Sequence, residues 1–186
     1  MKTIASIFII VLSLQTAVAQ EFTSSKNYYV ALQGSLAENN EEQLSASLFS
    51  ATNSSEEITF FPITNTDMIH SITVSTLEQP NLKGVQRVLK VDVNYIEYCN
   101  YKVSNYVLET EKGAFIALPM LTNEDCGDTN KALVYLFPSQ PFGKENQILT
   151  SEVTVSKSNI TEASLEDSFI WNDDNFGTSG NLYQDF

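Results

Sequence analysis

The sequence predicts an all-β fold, an antiparallel β-sandwich of roughly eight or nine short strands, with a closed β-barrel as the alternative. Short runs rich in β-branched and aromatic residues recur along the 186-residue chain. Clusters of turn-forming polar residues separate these runs, as expected for locally connected antiparallel strands. Within several runs apolar and polar residues alternate, which is the pattern of a strand with one covered face.

The first 19 residues are predicted to be a secretory signal peptide. Lys2 supplies a positive charge, residues 4–14 are largely apolar, and Ala17-Val18-Ala19 forms a cleavage site before Gln20. The remainder is expected to form one β-rich domain over residues 20–176 and a flexible tail over residues 177–186. We therefore expect a secreted or periplasmic protein whose mature chain lacks a membrane span, since no second apolar stretch approaches about 20 residues.

The chain is strongly acidic, with 10 Lys and Arg residues against 23 Asp and Glu residues and a net charge of −13. Nucleic acids and anionic lipid surfaces need clustered basic residues, so the composition disfavours both as partners. Scattered acids keep an exported protein soluble. Calcium binding by the acidic segments 124–128 and 172–175 stays open, although neither has the spacing of an EF-hand loop.

The first strands are predicted at residues 28–32 and 44–49, as a hairpin joined through the polar segment 38–42. Leu44 and Leu48 are also four residues apart, so a helix from about Asn40 is the alternative, and we favour the strand. The following runs, 58–63 and 69–77, continue the sheet pattern. Pro62 cannot donate to a strand ladder, which predicts an edge position or a strand end there.

The central segment shows the clearest alternation in the chain. One predicted face carries Leu89, Val91, Val93, Tyr95, Cys99, Tyr101 and Val103, and the other carries Lys90, Asp92, Asn94, Asn100 and Lys102. The run exceeds the usual strand length of about 3–10 residues, and Glu97 interrupts the apolar face. We therefore expect two strands with a bend or turn near Glu97.

A second hairpin is predicted around Glu111-Lys112-Gly113, because Gly113 can adopt positive φ without steric cost. If Thr110 faces Ala114, then Leu108 pairs with Ile116 and Tyr106 with Leu118, and this face belongs to the core. Further strands are expected at residues 132–137, 148–155 and 169–171. The sequons at Asn53 and Asn159 lie in predicted turns, and their glycosylation depends on a eukaryotic secretory route.

The two cysteines, Cys99 and Cys126, are predicted to form a disulfide, because paired cysteines in an exported chain usually do so. The bond would attach a polar loop to a strand. Three neighbouring tyrosines form the candidate ligand surface, since aromatic rings can stack on the apolar faces of sugars: Tyr95, Tyr98 and Tyr101. Packing around the disulfide is the alternative role of these rings.

No catalytic motif is recognisable. His70 is the single histidine, and its strand context predicts a half-buried structural residue rather than a general base. The adjacent acid pairs Glu41-Glu42, Glu56-Glu57 and Asp173-Asp174 would point apart on a strand, whereas a glycosidase needs two facing carboxyls. The sequence predicts no catalytic residue and no cofactor, and leaves metal binding undecided.

The sequence therefore favours a secreted binding or interaction module with a glycan or an extracellular protein as partner. A secreted carbohydrate-active enzyme with dispersed carboxylates is the first alternative. A small-ligand carrier is the second, if the strands close into a barrel.

Overall fold

The computed structural model describes residues 21–36, 42–63, 68–96, 99–127, 130–156, 159–172 and 175–176. These residues form strands with antiparallel pairing, and the predicted all-β class is confirmed. The strands are β1 (Thr23–Ser24), β2 (Tyr28–Leu36), β3 (Glu42–Ser50), β4 (Glu57–Ile63), β5 (Ile69–Glu78), β6 (Val85–Ile96), β7 (Asn100–Thr110), β8 (Phe115–Ala117), β9 (Leu121–Asp125), β10 (Lys131–Leu136), β11 (Gln147–Ser156), β12 (Asn159–Asn172) and β13 (Asn175–Phe176).

The described strands form three sheets. The N-terminal sheet has the order β2-β3-β4, and the C-terminal sheet has the order β10-β11-β12-β13. The central sheet has the order β1-β5-β6-β7, and the far edge of β7 pairs first with β9 and then with β8. None of these sheets closes on itself within the described residues, so stacked open sheets replace the closed alternative.

The central sheet is the middle layer of the stack. Successive residues of a strand point to opposite faces, and Val88 and Leu89 enter two different hydrophobic clusters. Leu89 packs with Leu48 and Phe61 of the N-terminal sheet. Val88 packs with residues of the C-terminal sheet such as Ile148. Two sandwich interfaces therefore share one sheet.

The cluster between the central and C-terminal sheets is held at its ends by polar contacts. Trp171 donates its indole N–H to the carbonyl of Lys83 at 2.7 Å, and the Tyr135 hydroxyl donates to the carbonyl of Pro119 at 3.1 Å. Fully buried Tyr106 packs edge-on against Tyr135, with ring centroids 5.0 Å apart. Burial raises the pKa of Tyr106 and holds its phenol neutral.

Several sequence predictions are confirmed in detail. The segment 42–50 is a strand and not a helix, and β4 with Pro62 lies at a sheet edge. The second hairpin has Leu108 opposite Ile116, and the Gly113 amide donates to the Thr110 carbonyl at 2.9 Å. Gly113 has a φ of 80°, which is the left-handed conformation that the turn needs.

Other expectations differ from the structure. The described residues contain more strands than expected, because the two-residue strands β1 and β13 and the polar strand β9, which was expected to be a loop, have no strand pattern of their own. The expected short strand at 169–171 is the end of the 14-residue strand β12, and Asn159 begins that strand instead of lying in a turn. Most residues of β12 are exposed and polar, so its sequence carries little strand periodicity. Pairing along β11 defines it instead.

The predicted signal peptide and the C-terminal tail lie outside the described residues. Among the residues that the structure covers, no helix has the length and apolar character needed to cross a membrane.

Candidate functional site

The face of the central sheet that points toward the C-terminal sheet changes from apolar to charged along its strands. On β6 this face carries, in order, Val88, Lys90, Asp92 and Asn94. Their partners on β7 are Leu108, Tyr106, Ser104 and Lys102. The polar end of this face therefore lies toward the tip of the β6–β7 hairpin.

Asp92 is the acidic centre of the polar end. Its Oδ2 lies 3.0 Å from the Lys90 ammonium, and its Oδ1 accepts a 2.6 Å hydrogen bond from the Ser104 hydroxyl. The Lys90 ammonium also lies 5.6 Å from the ring centroid of Tyr106 and 5.9 Å from that of Phe22, within cation–π range. Both carboxylate oxygens of Asp92 therefore have partners.

Lys102 follows on the same face, and it has no such partner among the residues that the structure describes. No hydrogen bond or ion pair joins its ammonium to any residue in the described part of the chain. Burial lowers the pKa of Lys102 below its usual value, the charge of Lys90 lowers it further, and Asp92 opposes them. Since desolvation penalises the charged form of a lysine, this ammonium is energetically costly where it stands.

Lys102 lines a cleft of about 330 Å³, which is at the lower end of the range of about 300–1,000 Å³ for ligand sites. The lining brings together residues from β5, β6, β7, β9 and β10: His70, Asn94, Tyr95, Tyr101, Lys102, Asn123, Asp125, Lys131 and Ala132. Asn94, Lys102 and Asn123 are paired neighbours across three strands. They form one polar row.

Asn123 fixes the wall of the cleft on the β10 side. Its Nδ2 donates to the carbonyl of Leu133 at 3.1 Å, and its Oδ1 accepts from the amide of Leu133. One side-chain amide thus satisfies both backbone groups of a residue on the unpaired edge of β10. This contact joins the central sheet to the C-terminal sheet beside Lys102.

Two further charged residues, Lys131 and Asp125, belong to the lining. The Lys131 ammonium donates to Glu152 Oε1 at 2.6 Å, in a solvent-exposed pair. Asp125 Oδ1 accepts a hydrogen bond from the Gly127 amide at 3.1 Å. Among the described lining residues, Asp125 is the single carboxylate, so the two facing acids of a glycosidase are not assembled there.

Two of the three tyrosines that the sequence singled out belong to this lining. Tyr95 and Tyr101 are directly paired, with ring centroids 5.5 Å apart. Alternation places them on the opposite face from Asn94 and Lys102. The cleft therefore lies at the end of the sheet, where residues from both faces contribute to its lining. The third tyrosine, Tyr98, lies outside the described residues.

The predicted disulfide between Cys99 and Cys126 is present. Asn100 pairs with Asp125 in the β7–β9 ladder, so the two cysteines occupy the next position along the same pair of strands. Glu124 lies close to both sulfurs. Because the sulfurs are bonded to each other, they cannot act as thiolate metal ligands.

The sequence reading did not assign His70, Asn94, Lys102, Asn123 or Lys131 to a site. His70 was expected to be half-buried, but a register shift between Ile69 and Ser71 leaves it exposed. The alternation did place Asn94 and Lys102 on one face. Their meeting with β9 and β10 depends on sheet stacking, which strand periodicity does not encode.

A separate aromatic surface lies on the outer face of the N-terminal sheet. Tyr29 and Phe49 are stacked, with ring centroids 5.5 Å apart. Phe60 lies nearby on β4 and is 60% exposed. Register places all three on the face opposite Phe61, which is buried against the central sheet. This surface offers rings without the polar groups of the cleft.

Comparison of the chain with protein-family models, with curated proteins and with solved structures finds no match.

Proposed function

We propose that the protein is a secreted binding module that holds a glycan in the cleft lined by Lys102. The observation that carries the proposal is the mixed lining: asparagine, lysine, aspartate and tyrosine residues border one cavity of about 330 Å³. A sugar presents many hydroxyl groups that both donate and accept hydrogen bonds. The lining contains donors in its ammonium and amide groups and acceptors in its carboxylate and amide groups.

Binding is favoured over hydrolysis by the distribution of acids. Glycoside hydrolysis requires two carboxyl groups on opposite sides of the scissile bond, and Asp125 is the one carboxylate among the described lining residues. A carrier of apolar molecules would need a dry apolar cavity. The charged side chains in the lining of this cleft, Lys102, Asp125 and Lys131, do not suit that role.

Secretion is supported by two independent features. The sequence predicts a signal peptide over residues 1–19, and the Cys99–Cys126 disulfide is compatible with an oxidising compartment. An exported binding module meets glycans on cell surfaces and in the extracellular medium. Export to a periplasm would place it among the same class of ligands.

A glycan array followed by calorimetric titration of the hits tests this proposal, with a hydrolysis assay on the same glycans. We expect binding without turnover. Tyr101→Ala should weaken binding by about two- to tenfold through loss of ring contact. Tyr29→Ala is the matched control, because Tyr29 is a partly exposed tyrosine on the outer face of the N-terminal sheet.

Melting temperatures of both variants separate loss of binding from loss of fold. Absence of any glycan ligand would overturn the proposal. Turnover of a bound glycan would replace it with the enzyme alternative. Loss of binding in Tyr29→Ala but not in Tyr101→Ala would move the site to the outer aromatic surface.

A further inference from the structure

The cleft contains a lysine ammonium that has no anionic partner among the described residues, inside a strongly acidic protein. The chain has a net charge of −13, yet two lysines and one aspartate line the cleft among the described residues. Lys131 is paired with Glu152. Lys102 is half-buried and has no partner among the described side chains.

Within the described part of the chain, no acid pairs with Lys102. Asp92 is the acid whose charge raises the pKa of Lys102, and its two oxygens are taken by Lys90 and Ser104. An ammonium that is partly withdrawn from water without an anion has a free-energy cost. An anionic group that enters the cleft would remove that cost, because it restores a charged partner at short range.

We propose that the cleft selects saccharides that carry a negative charge, as a carboxylate or sulfate group, and that Lys102 pairs with that group. This inference rests on the proposed function, since it names the ligand class of the same cleft. Asn94 and Asn123 flank Lys102 in the polar row, so a saccharide that pairs with Lys102 would also lie beside their side-chain amides. Lysine suits either anion, because its ammonium is a compact point charge.

The net charge of the protein makes this arrangement selective. The acidic surface repels anions at distances that salt screens, whereas a half-buried pair at contact distance is screened much less. Affinity for an anionic saccharide should therefore stay level or rise slightly as ionic strength increases. A ligand held by exposed surface lysines would show the opposite trend.

Matched pairs of saccharides test the charge requirement directly. Oligosaccharides of glucuronate, galacturonate and mannuronate would be titrated beside their carboxyl-reduced neutral counterparts, and sulfated oligosaccharides beside their desulfated forms. We expect at least one acidic member to bind about tenfold to a hundredfold more tightly than its neutral counterpart, as for a hydrogen bond to a charged group. The two series separate carboxylate from sulfate recognition.

Lys102→Met tests the residue, because it removes the charge and keeps a flexible side chain. We expect this variant to bind the acidic member as weakly as the neutral one. Lys144→Met is the matched control, since it makes the same change in net charge at an exposed position outside the cleft. Lys102→Arg should retain part of the preference for the acidic member.

The outcomes distinguish the two proposals. Equal affinity for acidic and neutral members, unchanged by Lys102→Met, would overturn the charge inference while the glycan-binding function stands. An acidic preference that survives Lys102→Met would also overturn it, whatever the effect of Lys144→Met. Absence of binding by every saccharide would overturn both.

Discussion

The two faces of the central sheet have different compositions although the same strands supply both. Toward the N-terminal sheet, β6 presents Leu89, Val91, Val93 and Tyr95, all of which are buried. Toward the C-terminal sheet, the intervening residues change from Val88 to Asn94 through Lys90 and Asp92. The face toward the N-terminal sheet forms an apolar interface. The face toward the C-terminal sheet packs tightly at its apolar end and leaves a cleft at its polar end.

This difference separates stability from binding within one element. Dense apolar contact along the first face gives the hydrophobic free energy that holds the stack together. Charged groups on the second face need partners or water, so the sheets cannot pack tightly over Lys102. We therefore expect substitutions on the first face to act on stability and those at the polar end to act on binding.

The largest effect is expected for Phe61→Ala at the apolar interface. Truncation of this buried ring should lower the free energy of unfolding by about 3–5 kcal/mol. Phe60→Ala is the control, because the neighbouring residue points outward and is 60% exposed, and its effect should stay within about 0.5 kcal/mol. Chemical denaturation measures both, and similar losses would contradict the assigned register of β4.

Removal of the disulfide should have a comparable but slightly smaller effect at the polar end. Cys99 and Cys126 are 27 residues apart, and opening a loop of this size costs about 3–4 kcal/mol on the loop-entropy model. The double variant Cys99→Ser/Cys126→Ser would be compared with reduced wild-type protein by denaturation. A loss below about 1 kcal/mol in both would show that β7–β9 pairing needs no covalent support.

Asp92→Asn should cost less, by about 1–3 kcal/mol, because it leaves the Lys90 ammonium without its anion. Glu166→Gln on exposed β12 removes the same charge and should be nearly neutral. Adding Lys102→Met to Asp92→Asn should recover part of the loss, since one of two repelling ammonium groups disappears. Strict additivity in this double-mutant cycle would show that Asp92 and Lys102 do not interact.

The smallest effect, and the one of opposite sign, is expected for Lys102→Met, which should raise stability by about 1 kcal/mol near neutral pH. The folded-state pKa of Lys102 lies below its usual 10.5. The charged ammonium therefore lowers the free energy of unfolding at every pH below that lowered pKa. The cost fades as pH rises toward 10.5, where the unfolded chain also loses the proton.

Melting temperatures of Lys102→Met and wild-type protein between pH 7 and pH 10 check this sign. The stability difference should be greatest at pH 7 and should narrow as pH rises. A difference that is constant over this range would show that the ammonium is not the cause. Taken with the loss of acidic-ligand preference, a stabilised Lys102→Met would show that the protein keeps a destabilising charge for binding.

Residue alternation and turn residues predicted the strands and the hairpin that depend on neighbouring residues. Alternation along β6 and β7 located both strands and the break between them, and the turn residues around Gly113 gave the register of the β7–β8 hairpin. β12 was largely missed, because its exposed residues lack alternation and only its pairing with β11 defines it. A strand of this kind has no periodic signal of its own.

Only the part of the candidate site that depends on local sequence was predicted. Tyr95, Tyr101 and the disulfide are close in sequence or linked by cysteine chemistry, and the sequence identified them together. Asn123 and Lys131 reach the cleft through the contact between β9 and β10. His70 reaches it through an irregularity in the β5–β6 register. Neither contact follows from side-chain periodicity.

The sequence alone determined the all-β class, the alternating β6 and β7 strands, the Gly113 turn and the disulfide, because each depends on neighbouring residues or on cysteine pairing. Only the tertiary structure shows that the polar face of β6 packs toward the C-terminal sheet. Alternation marks Lys90, Asp92 and Asn94 as a separate face, which in a two-layer protein would be solvated. Stacking of the C-terminal sheet over that face instead encloses its charges, because sheet order depends on distant strands and not on local pattern.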